Sequence, residues 1–385
     1  MLHEWQPVLK WLSIVGLVPY AARNRKRDFQ YMQRIYTLVL LAVNWILTAL
    51  GIYNQSLEDG AVVSNFISIM VFLSQTVTFT VCLLEVMCTY RQYFVFMQQS
   101  KHIVWLFQQR LQTGLCRWSL RRRQYLKYLC YSCAVYGSII LSMVLISMKY
   151  YYGYFWYACG SSLVLRIRCF LVIVYMDYID FYMRHVNMKL RSVVNCRVPR
   201  ERRLCLDVNY KMLESFDYML QLKLVYGEIR KLSLMIDDLF GWSICAIFTA
   251  IFLDLTVNIY WTFLILSNVV EFYFIYITII TALPLMAIIA YMCHSGENCK
   301  QQSITTSILV QRLLHSKHKY TNTKIYNDLL MEFAMQIQQD PMVIVVKEFL
   351  TLDLRLLMKI FTSIVTYLVI LLQFRWIYPG EYGNE

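Results

Sequence analysis

Apolar stretches long enough to cross a membrane alternate with polar, basic segments along the chain. A transmembrane helix needs about 20 apolar residues to cross a hydrocarbon core of about 30 Å. Four uncharged runs have a suitable length: Ile35–Tyr53, Ala61–Leu84, Tyr128–Met148 and Phe272–Met292. These runs predict four transmembrane helices.

Three further apolar runs contain or adjoin charged residues. Tyr150–Met176 contains Arg166 and Arg168, and Leu239–Leu266 contains Asp254. The last run is free of charge from Ile360 to Phe374. Lys359, just before it, can extend its ammonium group to the membrane interface. We therefore predict seven transmembrane helices, referred to as spans 1 to 7, in an all-α polytopic membrane protein.

The overall composition supports this fold class. Of the 385 residues, 58% are hydrophobic and only 16% are charged, whereas about 25% are charged in a typical soluble domain. A soluble domain of this composition would expose large apolar patches, which soluble monomers rarely do. The 12 Cys are scattered, mostly in apolar runs or between the spans, which argues against a secreted disulfide framework.

Lysine and arginine are concentrated on one side of the predicted membrane. The segment before span 1 and the connections between spans 2 and 3, 4 and 5, and 6 and 7 hold 31 of the 37 Lys+Arg, and the other side holds 2. Positive residues remain cytoplasmic, so we predict a cytoplasmic N-terminus and an extracellular C-terminus. The net charge of +13 then reflects topology and contact with anionic membrane lipid, and it does not indicate a nucleic-acid partner.

The long predicted cytoplasmic connections have helical periodicity. Leu213, Phe216, Leu220 and Leu224 recur at spacings of three and four residues. A second stripe precedes Pro341 and consists of Leu329, Leu330, Phe333, Ala334 and Ile337. We predict that span helices extend into the cytoplasm and pack as an anchor bundle, although amphipathic helices on a surface would show the same stripes.

The predicted organisation has five parts. Residues 1–34 form a cytoplasmic N-terminal segment, and its apolar run Trp11–Tyr20 is too short to span and is expected to lie at the lipid headgroups. The other parts are spans 1 to 6 with their helical extensions at 35–292, the anchor helices at 293–353, span 7 at 354–376 and an extracellular tail at 377–385.

Span 7 contains a motif that is typical of one receptor family. Thr366 and Tyr367 are followed by five hydrophobic residues and then by Gln373 and Phe374. This pattern resembles the signature of insect gustatory receptors, which lies in the last span near the C-terminus. The N-terminal Gly-Leu-Val-Pro-Tyr at residues 16–20 also resembles a Gly-Leu-x-Pro-aromatic segment of insect chemoreceptors. Length, span number and the predicted orientation agree with this family.

The resemblance implies a tastant-gated, non-selective cation channel in the plasma membrane of sensory neurons, in their dendrites and axons. It implies a homotetramer, or a heterotetramer with related receptors, in which span 7 lines the pore and the cytoplasmic helices join the subunits. It also implies a small-molecule pocket in the outer half of spans 2 to 6, and it implies no cofactor. We expect bitter or contact chemosensation, while sweet, carbon dioxide and pheromone detection stay open.

The polar face of span 7 is compatible with a pore. Thr362, Thr366, Ile370 and Gln373 lie on one stripe of a helix. A ring of Gln373 amides could face water at the axis, and Ile370 one turn inward could close the path by dewetting. The alternative is that Gln373 forms a hydrogen bond with a neighbouring helix. The family resemblance favours the pore.

Aromatic residues crowd the outer ends of spans 4, 5 and 6. From them we select Trp156, Tyr157, Tyr260 and Tyr276 as candidate pocket residues, because ligand sites are often apolar and aromatic. The ordinary aromatic belt at a membrane interface is the competing explanation. Arg166 and Asp254 lie at similar depths in spans 4 and 5, and we predict an intramembrane ion pair between them.

Other signals are weak. Cys293, His294, Cys299, His315 and His318 do not have the spacing of a zinc site, so we predict no metal. Asn54 begins a glycosylation sequon that lies against the end of span 1. No nucleophile or phosphate-binding motif indicates an enzyme.

Three other function classes fit the pattern less well. An odorant-type receptor of the same superfamily would share the fold and topology, but the Gln-Phe ending of the motif favours the gustatory branch. A G-protein-coupled receptor would place its N-terminus outside. A transporter would show internal repeats and broken helices, and only Pro284 interrupts a span here.

Overall fold

The computed structural model describes residues 17, 27–58, 62–111, 117–149, 153–197, 215–267, 272–315 and 323–377. Nearly all of these residues are helical, which confirms the predicted all-α class. The helices are α1 Arg27–Glu58, α2 Val62–Cys88, α3 Tyr90–Gln109, α4 Arg117–Lys149, α5 Cys159–Arg197, α6 Phe216–Leu266, α7 Phe274–His315, α8 Thr323–Gln339 and α9 Leu354–Ile377. Within this described part, seven helices are long and apolar enough to cross a membrane: α1, α2, α4, α5, α6, α7 and α9.

Three of these helices are much longer than a membrane is thick. Helix α5 has 39 residues, α6 has 51 and α7 has 42. At about 1.5 Å per residue, a helix like α6 reaches about 75 Å, more than twice the hydrocarbon thickness. The predicted extension of the span helices is therefore confirmed. Together with α3 and α8, their extended parts form one end of the bundle, here called the anchor end.

The predicted stripe before Pro341 packs as expected. Helix α8 buries Leu329, Leu330, Phe333 and Ile337, and the ring of Phe333 lies 5.7 Å from that of Tyr226 on α6. The Tyr226 hydroxyl forms a hydrogen bond with Ser303 of α7 at 3.1 Å. In the anchor end, α6, α7 and α8 thus share one packed core.

Two elements at the anchor end were not predicted. Helix α3 lies in the connection after span 2 and buries Tyr93, Phe96, Ile103, Leu106 and Phe107. A short antiparallel hairpin pairs Val345–Val346 (β1) with Leu350–Thr351 (β2) just before α9. Its turn residues, Lys347 and Glu348, both have positive φ, at 48° and 60°.

The predicted start of span 4 differs from the structure. Helix α5 begins at Cys159, and Gly153–Ala158 forms a 3-10 turn instead of helix. The indole N–H of Trp156 donates to the Ser147 hydroxyl at 2.9 Å, so the turn folds back onto the end of α4. Glycine and bulky aromatic residues have modest helix propensity. This turn and the connection from α6 to α7 lie at the opposite end of the bundle, here called the loop end.

Burial divides the spans into central and peripheral helices. In the most apolar part of each span, the share of residues buried inside the chain is 67% for α5 and 56% for α6. The same share is 18% for α4 and 11% for α9. Helices α5 and α6 therefore form the centre of the bundle. Helix α9 is left with most of its surface available to lipid or to partner chains.

The N-terminal segment reaches the interior at one point. Leu17 is fully buried in the main hydrophobic core. A residue located at the lipid headgroups, as expected from the sequence, would not be buried there. The other residues of the predicted 1–26 interfacial segment, and the 378–385 part of the predicted tail, lie outside the described residues.

Candidate functional site

The predicted pore residues lie on an exposed face of α9. Thr362, Thr366, Ile370 and Gln373 are all exposed in the single chain. The buried face of the helix carries Leu356 and Ile364. At 100° per residue, the centres of these two faces are separated by more than a third of a turn. The predicted stripe therefore points away from the chain's own bundle.

The stripe combines satisfied and unsatisfied polar groups. The hydroxyl of Thr362 donates to the Met358 carbonyl, and that of Thr366 to the Thr362 carbonyl, both at 3.0 Å. The Gln373 amide has no hydrogen-bond partner within the described part of the chain. An unpaired amide at membrane depth calls for water or a neighbouring subunit.

The family-like motif also contacts the bundle. The ring of Tyr367 lies edge-on to Phe252 of α6, with ring centroids 5.6 Å apart. Thr366 and Gln373, on either side of it in the motif, remain on the exposed stripe. Phe374 continues α9, and its side chain is outside the described set. One motif residue thus packs against α6 while two others face outward.

The start of α9 is held by α7. The Asp353 carboxylate accepts the Leu356 backbone N–H at 3.0 Å, which caps the helix, and lies 3.5 Å from the Lys300 ammonium. Gly296 permits a close approach, because a Cβ there would lie 2.1 Å from the Leu352 carbonyl oxygen. The start of α9 is therefore in direct contact with α7 at this point.

The four candidate pocket residues have different surroundings. Trp156 and Tyr276 are exposed, as residues of an aromatic belt would be. Tyr157 packs against Gly51 of α1. If Gly51 carried a Cβ, that atom would lie 3.4 Å from the Cβ of Tyr157. Tyr260 is buried within the bundle. Their role in ligand binding stays a prediction.

Arg166 and Asp254 interact electrostatically, but the ion pairs among the described residues do not include a direct one between them. Arg166 donates to the Ser138 hydroxyl at 3.0 Å. Asp254 accepts from the Gln75 amide at 3.4 Å and from the Asn258 amide at 3.2 Å. The close contacts of the two side chains include neutral amides and a hydroxyl, and the ion pair stays a prediction.

These amides belong to a polar network that joins four spans. Gln75 of α2 accepts from Ser162 of α5 at 2.9 Å, and Asn258 of α6 accepts from Thr281 of α7 at 2.8 Å. With Asp254 between them, the network crosses the bundle in the half nearer the loop end. The sequence signal that could have found it is the recurrence of amide and hydroxyl residues inside apolar runs.

A buried ion pair that was not predicted lies elsewhere. Arg168 and Glu85 approach to 3.0 Å, and their side chains are 0% and 4% exposed. The guanidinium also donates to Ser243, Tyr93 and the carbonyls of Leu17 and Leu239. The face of the Phe240 ring lies 4.3 Å from the guanidinium carbon. Segments from five parts of the chain meet at this one cation.

Glu85 completes the cluster from the other side. Its carboxylate accepts the backbone N–H groups of Trp242 and Ser243 at 2.9 and 3.1 Å, and also the Ser243 hydroxyl. Within residues 239–243 of α6, one backbone carbonyl thus accepts from Arg168 and two backbone N–H groups donate to Glu85. We call this segment, with Arg168 and Glu85, the charged junction.

The hairpin before α9 packs on the same part of α6. Asp237 accepts the Lys347 backbone N–H at 2.7 Å, and its other oxygen lies 3.7 Å from the Lys347 ammonium. A Cβ at Gly241 would be 2.5 Å from Lys347 Cε, so the glycine leaves room for the hairpin. The charged junction is thus connected through α6 to the segment that leads into α9.

The residues considered for zinc are dispersed. Cys293 and Cys299 are buried in α7, His294 and His315 are exposed, and His318 lies outside the described residues. Asn54 of the sequon is inside α1, which continues to Glu58.

Seven helices that are long and apolar enough to cross a membrane define a multi-pass helical membrane protein. The chain belongs to the 7tm chemosensory receptor family, whose model matches residues 6–376. This confirms the predicted family. The chain is therefore a member of a receptor family and not of an enzyme family.

Two relatives from Drosophila melanogaster are gustatory receptors. The chain is 31% identical over 376 residues to "Putative gustatory receptor 39b", covering 97% of this chain and 99% of that protein. It is 28% identical over 217 residues to "Gustatory receptor 23a", covering 56% of each. The chain is a gustatory receptor homologue.

Solved structures share its fold. The insect olfactory receptor OR5 from Machilis hrabei in complex with eugenol matches with a TM-score of 0.59 and 10% identity, covering 96% of this chain and 98% of that chain. A second structure of the same receptor matches with a TM-score of 0.57 and 12% identity, covering 97% of this chain and 98% of that chain. The identity is low, so these matches concern the fold.

Proposed function

We propose that this chain is a subunit of a tastant-gated, non-selective cation channel in the plasma membrane of chemosensory neurons. Four subunits, identical or related, surround a pore lined by α9. The observation that carries the proposal is the exposed stripe of Thr362, Thr366, Ile370 and Gln373, on a span that is only 11% buried by its own chain.

The chemistry of the stripe supports a pore. A single chain in lipid would leave the Gln373 amide in an apolar environment, which is costly. Four such amides around an axis would face water and cations instead. Ile370, one turn away, would close the same axis by dewetting when the subunits are close together. The ligand is a small-molecule tastant, and bitter or contact chemosensation is the proposed modality.

Patch clamp tests the proposal in cells that lack endogenous chemoreceptors. The first step is a panel of bitter and other tastants, scored as ligand-evoked cation current. Gln373→Ala removes the ring of amides, so we expect a several-fold change in conductance or cation selectivity. Gln98→Ala is the matched control, because Gln98 is an exposed amide on α3, away from the stripe. Unchanged current and selectivity in Gln373→Ala at normal surface expression would contradict the assignment.

An odorant-type receptor would have the same architecture. The full-length similarity to a Drosophila gustatory receptor and the Gln-Phe ending of the motif favour the gustatory branch. A response to volatile odorants together with silence to every contact tastant would favour the alternative.

A further inference from the structure

A cavity of about 470 Å³ lies between α4, α5 and α7. Its lining includes Tyr128 and Tyr131 of α4, Phe170 of α5, and Pro284 and Tyr291 of α7. This volume is within the range of small-molecule sites, about 300–1,000 Å³. Leu283, at the edge of the cavity, is 61% exposed. The cavity therefore reaches the surface of the bundle that the membrane would cover.

Two local features create this space. Pro284 lies inside α7, where it has no N–H to donate to the preceding turn. Across the cavity, Phe170 is fixed between two tyrosines, with ring centroids 5.1 Å from Tyr128 and 5.3 Å from Tyr131. A proline on one wall of the cavity thus faces a packed aromatic cluster on the other.

The cavity is separate from the predicted tastant pocket. Tyr128 is the predicted anchor-end limit of span 3, and Tyr291 lies one residue from that of span 6. The candidate pocket residues Trp156 and Tyr276 lie at the loop end, near the other limits of the spans. On α7 the lining residue nearest to Tyr276 is Leu283, which lies seven residues away, about 10 Å along the helix.

One polar group on the cavity wall has no partner. The Tyr131 hydroxyl is buried and forms no hydrogen bond within the part of the chain that the structure describes. By contrast, the hydroxyls of Tyr128 and Tyr291 both donate to Asp177, at 3.4 and 3.3 Å. Buried hydroxyls are normally paired. An apolar molecule with one hydrogen-bonding oxygen would supply the missing partner.

We propose that this cavity binds a neutral, lipophilic alcohol that enters from the membrane, with its hydroxyl paired to Tyr131. The aromatic rings and Pro284 surround the apolar body. The buried guanidinium of Arg166 interacts electrostatically with Tyr131, which disfavours an organic cation as the ligand. A membrane sterol and a free terpenoid alcohol share this chemistry, and the experiment below separates them.

Direct binding tests the site without any measurement of current. The full chain is reconstituted into sterol-free phosphatidylcholine nanodiscs, and binding of tritiated menthol is compared with that of its hydrocarbon analogue, menthane. Ala134→Trp fills the cavity, whose lining includes Ala134, and defines the non-specific background. We expect saturable menthol binding in the wild type and only background binding in Ala134→Trp.

The hydroxyl is tested with a matched pair of variants. Tyr131→Phe should weaken menthol binding about 3- to 10-fold, as the loss of one neutral hydrogen bond does, and leave menthane binding unchanged. Tyr218→Phe removes another buried hydroxyl that lacks a partner among the described residues, away from the cavity, and should leave both ligands unaffected. Both variants should keep the melting temperature of the ligand-free protein.

Cholesterol identifies the source of the natural ligand. If cholesterol in the nanodisc displaces menthol, the occupant is a membrane sterol; if it does not, the occupant is a smaller free alcohol. Equal menthol affinity in Tyr131→Phe and wild type, or saturable binding that persists in Ala134→Trp, would overturn the proposal. These outcomes do not depend on whether the chain conducts ions. The proposed binding site and the proposed channel function can therefore be contradicted independently of each other.

Discussion

Arg168 shows how a full positive charge can be stable inside this bundle. Its guanidinium has five N–H donors, and five hydrogen bonds are formed, to Glu85, Ser243, Tyr93, and the Leu17 and Leu239 carbonyls. The pKa of Tyr93, on α3 outside the spans, is raised to about 12 by burial, although Arg168 lowers it. Its hydroxyl therefore stays neutral and accepts from Arg168 at physiological pH.

Removing one partner of the charged junction should be severe. Arg168→Met leaves the Glu85 carboxylate buried without its cation, and breaking such a pair typically costs about 3–5 kcal/mol. We expect a large drop in the melting temperature of the detergent-solubilised receptor, followed by size-exclusion fluorescence, together with low surface expression.

An exposed ion pair provides the control. Lys231 lies 2.8 Å from Glu228, and the two side chains are 67% and 23% exposed, so Lys231→Met should cost at most about 1 kcal/mol. The double variant Arg168→Met with Glu85→Met should recover part of the lost stability, because no charge is left buried. Equal melting temperatures for Arg168→Met and Lys231→Met would contradict this role of the charged junction.

Residue pairing is the level at which the sequence was least informative. Arg166 and Asp254 were matched by depth alone, whereas Arg168 has the direct buried ion pair. Positions two residues apart on a helix differ by a rotation of about 200° around the helix axis. Arg166 and Arg168 therefore point in very different directions. Depth can be counted from a sequence, but the rotation of each helix depends on packing. Glu85 was also missed because it lies one residue beyond the predicted end of span 2.

At the scale of elements, the approach of α7 to the start of α9 depends on a glycine. Gly296 faces the Leu352 backbone, which is a rigid obstacle, unlike the flexible end of a side chain. An added Cβ would lie 2.1 Å from the carbonyl oxygen and 2.9 Å from the Leu352 Cβ. Any larger residue must push the segment before α9 away from α7.

Gly296→Ala should therefore displace the first turn of α9. We expect a lower melting temperature and a reduced ligand-evoked current, because the Asp353 cap and its Lys300 contact lie just beyond the clash. Gly137→Ala is the matched control in α4, where an added Cβ meets nothing within 4 Å. In a helix interior that change should stabilise by about 0.5–1 kcal/mol. A Gly296→Ala receptor as stable and active as Gly137→Ala would exclude tight coupling at this contact.

Helices whose apolar pattern extends over many residues could be predicted from the sequence, whereas short elements could not. The seven spans and the α8 stripe of Leu329, Phe333 and Ile337 followed from hydrophobicity and spacing. The hairpin strands contain two residues each, which is too short for any alternation to show. Helix α3 has a readable stripe, including Tyr93, Phe96 and Phe107, but it lies in a segment that was interpreted only by its charge. The 3-10 turn before α5 reflects local packing against Ser147.

At the scale of the whole molecule, the basic residues predict its orientation. The anchor end contains the long helical extensions, and the connections at that end carry most of the Lys+Arg. Because positive residues remain cytoplasmic, we expect an epitope tag at residue 1 to be stained only after permeabilisation. A tag after residue 385 should be stained on intact cells. Surface staining of the N-terminal tag would reverse the orientation and favour the arrangement of a G-protein-coupled receptor.

The uneven burial of the spans bears on assembly. Lipid can cover exposed apolar residues of α9 such as Val365 and Val369, but it cannot pair the Gln373 amide. A span that is 11% buried and carries a polar stripe fits the proposed assembly, in which other copies surround it. We expect four bleaching steps per particle when a fluorescent protein is fused to each chain and single receptors are imaged in nanodiscs. Gln373→Ala should keep four steps if the anchor end joins the subunits, and particles with a single step would exclude a pore formed between chains.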